Sequence, residues 1–264
     1  KKIKPFPYAI IDNFINNYDL DHLNKNFPHY LFDRITETDP KFLLRKNLAV
    51  NEPSFQKFIK KDKIWSKFTK DITSKKFVSL LIEYFNPEMK EFGFNMSLKR
   101  YRLYIGHNYR DHNLWLFQRI LKKIKNKYNQ IHDYCLGLVN IPSIRIDFEC
   151  SRSKSGYNLP PHADQNSKFI VCLFYLNDMN DIDGNDISNL IFYENLKLDK
   201  NKWERIPKEF DLKEFCSVGV RKNRAVLMLN SKNSWHGIKE YQSDEYRKFF
   251  YLSLAITNFK NIWQ

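Results

Sequence analysis

Leu159-Pro160-Pro161-His162-Ala163-Asp164 is the stretch on which the reading of this chain turns, answered downstream by Ser234-Trp235-His236-Gly237-Ile238 and then by Arg247. In an extended segment successive side chains alternate faces, so His162 and Asp164 project to the same side and can grip one ion together. His236 would add a second imidazole. Two neutral nitrogens and one carboxylate carry a single negative charge, suit a first-row divalent ion and leave its other coordination positions open.

A His-x-Asp alone is a weak signal, because the spacing arises by chance in many chains. Its surroundings strengthen it. After Ile141 the chain becomes short apolar runs separated by turn residues, the pattern of a sandwich or barrel of antiparallel strands. Expected strands are Ser143 to Cys150, Phe169 to Leu176, Leu190 to Glu194, Ala225 to Leu229 and Phe249 to Thr257. The run Phe169 to Leu176 is apolar on both faces and should lie centrally, with helices on its outer side. His236 follows the Ala225 to Leu229 strand and a polar turn, and Arg247 begins the next strand. In a closed jelly roll, strands far apart in sequence are neighbours, so His236 can complete a site with His162 and Asp164. A guanidinium at Arg247 could hold a carboxylate in a bidentate fork. Tyr175, Lys168 and Ser253 are further candidates to bind the same carboxylate.

Upstream, Pro5 to Phe14 reads as an extended opening with a turn, and Asp19 to Phe27 as a short helix. From Pro53 to Phe85 the period is helical: Phe55, Phe58 and Ile59 share a face, as do Trp65, Phe68 and Ile72, then Phe77, Leu80, Leu81 and Tyr84. These stripes are expected to support a sheet. Phe92 to Ile105 should be a strand or pair of strands, and Phe117, Ile120, Leu121 and Ile124 mark another amphipathic helix with Arg119, Lys122, Lys123, Lys125 and Lys127 opposite. His107, His112 and His132 have no carboxylate at ligand spacing. Asp178, Asp181, Asp183 and Asp186 lack the spacing and the final glutamate of a calcium loop, and read as a solvated turn.

Composition narrows the classes. The 264 residues, 42% hydrophobic, can bury a substantial core, and seven glycines exclude a collagen-like chain. No apolar run reaches the length of a membrane span and the start lacks the apolar stretch of a signal peptide, so a cytoplasmic protein without membrane association is expected. Cys135, Cys150, Cys172 and Cys216 are widely separated and are expected to be buried reduced thiols. Of the net charge of +14, most lies in positions 1 to 140, with 26 Lys+Arg against 14 Asp+Glu. That leaves an anionic partner open through the basic half, beside the simpler reading of a lysine-rich composition.

The order His-x-Asp, a strand ending Leu-Phe-Tyr-Leu-Asn-Asp, then Ser-Trp-His-Gly-Ile and a strand-initial Arg resembles the iron(II)- and 2-oxoglutarate-dependent oxygenases, on their prolyl-hydroxylase-like branch. The opening Pro-Phe-Pro-Tyr-Ala-Ile-Ile-Asp-Asn-Phe is similar to the N-terminal segment of these enzymes. The resemblance implies an α+β fold with a mainly β core, a double-stranded β-helix (jelly roll) with supporting N-terminal helices. It implies one catalytic domain over residues 1–264: helical support to 95, an insertion-like region at 96–140 and the jelly-roll core at 141–258. It further implies His162, Asp164 and His236 as catalytic iron ligands and Arg247 as the 2-oxoglutarate anchor. Tyr175 and Lys168 would be further cofactor-binding residues.

Such enzymes use oxygen to decarboxylate 2-oxoglutarate and hydroxylate a substrate, releasing succinate and carbon dioxide, with ascorbate as a supporting reductant. Asp164 argues against a halogenase, which omits that ligand, and Ser253, six residues after Arg247, against a nucleic-acid demethylase, which has a second arginine there. The substrate, a peptidyl residue, an amino acid or another small molecule, is not decided. Two alternatives stay open: a jelly-roll binding module for an anionic glycan or nucleic acid that retains a metal site, and a cupin-like metal enzyme.

Overall fold

The computed structural model describes residues 1–35, 44–106, 116–180, 183–196, 203, 205–206 and 211–263. In chain order its elements begin with β1 (Tyr8–Ile11), α1 (Asn17–Lys25), α2 (His29–Asp33) and β2 (Arg45–Ala49). Then come α3 (Pro53–Lys61), α4 (Lys63–Ile72), α5 (Lys75–Glu91), β3 (Arg102–Ile105) and α6 (Leu116–Leu138). The remainder is β-structure: β4 (Ser143–Ser153), β5 (Leu159–His162), β6 (Lys168–Tyr175), β7 (Leu190–Asn195), β8 (Leu212–Val218), β9 (Ala225–Leu229), β10 (His236–Ile238) and β11 (Arg247–Ile256).

The helices start where the chemistry supplies a cap. Pro53 opens α3, and its missing N–H costs nothing there. The Asp62 carboxylate accepts from the amides of Ile64 (2.9 Å) and Trp65 (3.0 Å) at the start of α4, and Ser74 Oγ accepts from Phe77 N at the start of α5.

Two antiparallel sheets form. The larger runs β1-β9-β6-β11-β4-β2, with β3 pairing in parallel beside the first half of β4; the smaller runs β5-β10-β7-β8. As the doubly apolar pattern requires, β6 is central, between β9 and β11. One face of the large sheet, with Ile170, Cys172 and Phe174 of β6 and Phe250 and Leu252 of β11, shares a core with Leu20, Phe55, Trp65, Phe68 and Leu81 of the helices. The Trp65 ring meets Phe250 edge-on at 5.4 Å and Phe68 lies 4.8 Å from the same ring. The opposite face, with Val171, Leu173, Tyr175 and Phe249, packs against Leu190, Phe192, Val218 and Ile238 of the small sheet. The site therefore has a wall on each side: helices brace the large sheet from behind, and the small sheet covers its front.

Several expectations shift. In α5 the buried line is Val78, Leu81, Phe85 and Met89, while Leu80 and Tyr84 are exposed, so the stripe lies about one position from the expected one. Strand structure in 92–105 is confined to β3 and a single bridge between Phe94 and Trp263. All four cysteines are free, but only Cys150 and Cys172 are buried: Cys216 is half-buried, and Cys135 is exposed because it sits on the outer side of α6. His107, His112 and Asp181 lie outside the described residues, and His132 is a residue of α6. Asp178 accepts from the amide of Lys222 (2.9 Å) and Asp186 pairs with Arg221, so these acids tie loops together. No helix among the described residues is long and apolar enough to cross a membrane.

Candidate active site

The smaller sheet brings the two halves of the His-x-Asp…His pattern together. β10 pairs with β5 so that His236 stands directly opposite His162, and their ring centroids are 4.5 Å apart. The approach is close because of Gly237: a Cβ there would lie 2.7 Å from the carbonyl oxygen of Leu159, inside any tolerable contact. The turn before β10 is held by Ser234, whose Oγ donates to Leu229 O (2.7 Å) and accepts from Ser231 N (2.7 Å).

Each imidazole is oriented by its own backbone. His162 Nδ1 lies 3.0 Å from Pro160 O, and His236 Nδ1 lies 3.0 Å from Ser234 O. A carbonyl can only accept, so Nδ1 carries a proton on both rings, and in the neutral ring the lone pair is on Nε2, the tautomer a metal ligand needs. Burial, reinforced by the neighbouring His236, pushes the His162 pKa down to about 4 despite the adjacent carboxylate of Asp164. His162 is thus neutral at ordinary pH.

Asp164 follows β5 and is buried. Both its oxygens are engaged: Lys168 Nζ donates at 3.0 Å and Tyr251 OH at 3.3 Å. Lys168 also donates to Tyr251 OH at 2.6 Å. Burial alone would raise the Asp164 pKa, but the Lys168 ammonium and the two imidazoles hold it well below the usual carboxylate range. Lys168 is held above the usual lysine range by Tyr251 and Asp164, against the opposing effect of burial. Lys168 reaches this face because the β6–β11 register slips between Leu254 and Ala255, pairing Ala255 with Lys168 after Leu254 with Ile170, a bulge that reverses the alternation.

Among the described residues no three His, Cys, Asp or Glu side chains are drawn together closely enough to enclose an ion. The donor set nonetheless suits a first-row divalent ion: two imidazoles lie 4.5 Å apart, and an ionised carboxylate follows His162 by two residues.

Arg247 opens β11 on the inner face, in line with Phe249, Tyr251 and Ser253. It is fully buried. Its Nη2 donates to Tyr175 OH at 3.1 Å, and its guanidinium lies over the rings of Phe249 (4.8 Å) and Tyr175 (5.2 Å). Nε and Nη1 have no hydrogen-bond partner among the described residues. A buried cation with two idle donors is costly unless an anion meets it.

The predicted residues thus fall into two groups. His162, His236, Asp164 and Lys168 form one cluster, while Arg247 and Tyr175 form another, and Lys168 is spent on Asp164 rather than beside Arg247. Tyr251 links the groups along β11, four residues and two alternations beyond Arg247. Sequence reasoning passed over it, although the same alternation that places Arg247 inward places Tyr251 inward. Arg45 of β2 was also missed: its guanidinium lies 5.0 Å from the Phe249 ring and 5.9 Å from the Tyr251 ring. No motif connects Arg45 to the rest of the site. Ser253 is buried on this face, its Oγ without a partner among the described residues.

No family model matches the chain, and no curated protein matches it in sequence. Solved structures do. A prolyl 4-hydroxylase from Phytophthora capsici superposes with a TM-score of 0.52 at 12% identity, over 96% of this chain and 60% of that one. HygX from Streptomyces hygroscopicus, solved with nickel, 2-oxoglutarate and hygromycin B bound, has a TM-score of 0.44 at 10% identity, over 97% and 85% of the two chains. An oxidoreductase of the 2OG-Fe(II) oxygenase family from Burkholderia pseudomallei has a TM-score of 0.42 at 9% identity, over 99% and 90%. At these identities what the chain shares with these structures is the fold.

Proposed function

We propose that the two sheets form a double-stranded β-helix carrying an iron(II)- and 2-oxoglutarate-dependent dioxygenase, which hydroxylates a small-molecule or peptidyl substrate and releases succinate and carbon dioxide. Residues 1–264 act as one catalytic unit in this reading. His162, Asp164 and His236 would hold the metal, and Arg247, seconded by Tyr175, would hold the distal carboxylate of 2-oxoglutarate. The observation that carries the reading is Arg247: a fully buried guanidinium with two idle donors, on the strand face whose Tyr251 reaches Asp164.

Iron(II), once bound, supplies the activation of oxygen and the oxidative decarboxylation of the co-substrate. The chain supplies the rest. The Nδ1 bonds to Pro160 O and Ser234 O would leave Nε2 of each neutral imidazole as the atom that faces a metal. Lys168 and the two imidazoles keep the Asp164 carboxylate ionised, and Lys168 would have to yield the oxygen it holds to a bound ion. The fork of Arg247 would fix the co-substrate in one orientation, and the ring of Phe249, 4.8 Å from the guanidinium, would help exclude water around it.

The test is succinate release from 2-oxoglutarate with iron(II) and ascorbate, which should be measurable even as slow uncoupled turnover without substrate. His162→Ala and His236→Ala should each abolish it. Release by either variant at the wild-type rate would sink the assignment.

A second reading has one observation behind it, the engagement of Asp164 by Lys168. In that reading the fold is a binding module for an anionic glycan or nucleic acid that retains a metal site. His162→Ala separates the two: it abolishes succinate release in the enzyme, whereas in the module salt-sensitive binding of the anionic partner survives it.

A further inference from the structure

α6 is mounted with its polar side inward. Asp133 is its only acidic residue and is buried, accepting from Arg102 Nη1 (2.9 Å) and bonded through Thr257 Oγ1 (2.6 Å). Asn129, one turn earlier, accepts from Arg102 Nη2. These bonds seat the helix against β3 and the end of β11. The opposite side is apolar and faces outward: Phe117 is 68% exposed, Ile124 59%, Ile131 56% and Leu138 69%, with Leu121, Tyr128 and Cys135 exposed between them.

These seven residues are spaced by four, three, four, three, four and three. That mean period of 3.5 is the spacing of a helix wound against another helix, sustained here over three heptads. A helix lying in a lipid surface needs only a broad apolar arc and no such alternation. The positions flanking the seam are Gln118, Ile120, Lys125, Lys127, His132 and Tyr134, and the charged ones among them, Lys125 and Lys127, are exposed and basic. A second copy of the helix would bring more cations and no exposed acid.

We propose that the outer face of α6 docks an acidic amphipathic helix of another protein, with apolar residues at heptad spacing and Glu or Asp flanking its seam. This surface is distinct from the metal and co-substrate residues, so it would serve to recruit or localise the chain whatever the site catalyses. It also gives the excess positive charge of the first 140 residues a specific place to act.

A synthetic three-heptad peptide with Leu at the seam positions and Glu at the flanking positions tests this, alongside an otherwise identical peptide with Lys at the flanks. The full chain should bind the Glu peptide one to one, by calorimetry or anisotropy, at least tenfold more tightly than the Lys peptide, and less tightly as salt rises. Ile124→Ser with Ile131→Ser should weaken binding at least tenfold. Lys125→Glu with Lys127→Glu should reverse the preference between peptides while leaving the seam intact. Circular dichroism should show both variants folded, since the substituted residues point away from the body. Four results would overturn the proposal: neither peptide binds, both bind equally, the chain is captured by phosphatidylglycerol vesicles but by neither peptide, or the chain self-associates in sedimentation through Ile124 and Ile131.

Discussion

Replacing Arg247 by methionine tests the co-substrate site from two directions at once. The guanidinium is fully buried, donates once to Tyr175 OH, and leaves Nε and Nη1 unpartnered. If a carboxylate meets the guanidinium through one of those idle nitrogens and the second hydrogen of Nη2, which share an edge of the group, each charge-assisted bond contributes roughly 1.5–3 kcal/mol, and losing both weakens 2-oxoglutarate binding by about 3–6 kcal/mol. At about 1.4 kcal/mol per tenfold, that is a loss on the order of a hundredfold to ten-thousandfold in affinity. The same substitution removes a buried charge that lacks an anion, so the ligand-free variant should be no less stable than wild type. Thermal melting with and without 2-oxoglutarate and Mn(II) measures both effects. Wild type at a ligand concentration of one hundred times Kd should gain about 2.7 kcal/mol, and Arg247→Met should gain about 0.4 kcal/mol or less. Arg247→Lys should fall between them, since lysine restores the charge but not the fork. A methionine variant that loses several kcal/mol of stability while still binding 2-oxoglutarate would refute the reasoning and make Arg247 structural.

Three further outcomes follow from the geometry. Gly237→Ala should separate β10 from β5, because its Cβ would meet Leu159 O at 2.7 Å; metal affinity should drop by at least tenfold in calorimetry while circular dichroism shows a folded chain. Trp65→Ala should cost about 3–5 kcal/mol in denaturant unfolding, since the fully buried indole links α4 to Phe250 on the outer face of the large sheet. Asp62→Ala should cost about 1–2 kcal/mol by uncapping α4. Burial would raise the Asp62 pKa, but its bonds to His22 and to the Trp65 and Ile64 amides outweigh that and lower it. Its contribution is therefore complete above the ordinary carboxylate range and is lost as the pH falls through the lowered pKa, so wild type and variant should converge in stability under acid.

The parts of the fold legible in the sequence were those whose side chains alternate or run apolar. β6 and β9 were readable because both their faces are buried. β2, β8 and β10 were not. Arg45-Lys46-Asn47 and Leu212-Lys213-Glu214 are polar segments whose strand structure comes from pairing with β4 and β7, and β10 is three residues with a glycine at its centre. In α5 a run of apolar residues wider than one face left the phase ambiguous, and packing against the sheet chose Val78 and Phe85 over Leu80 and Tyr84. In α6 the apolar stripe was legible but its direction was not, because Asp133 binds Arg102 on the body of the protein. At the site, the cross-strand meeting of His162 and His236 followed from the spacing of motifs within a β-rich chain. The Asp164–Lys168–Tyr251 cluster did not, since it depends on a bulge between β6 and β11.

The central claim is that His162, Asp164, His236 and Arg247 together hold a divalent metal and 2-oxoglutarate. The most direct measurement is a calorimetric titration of 2-oxoglutarate into the anaerobic protein, with iron(II) present and after chelation. The proposed assignment predicts one site per chain that requires the metal and disappears in His162→Ala, His236→Ala and Arg247→Met. Binding of equal strength with and without metal, or no binding in either case, would contradict it.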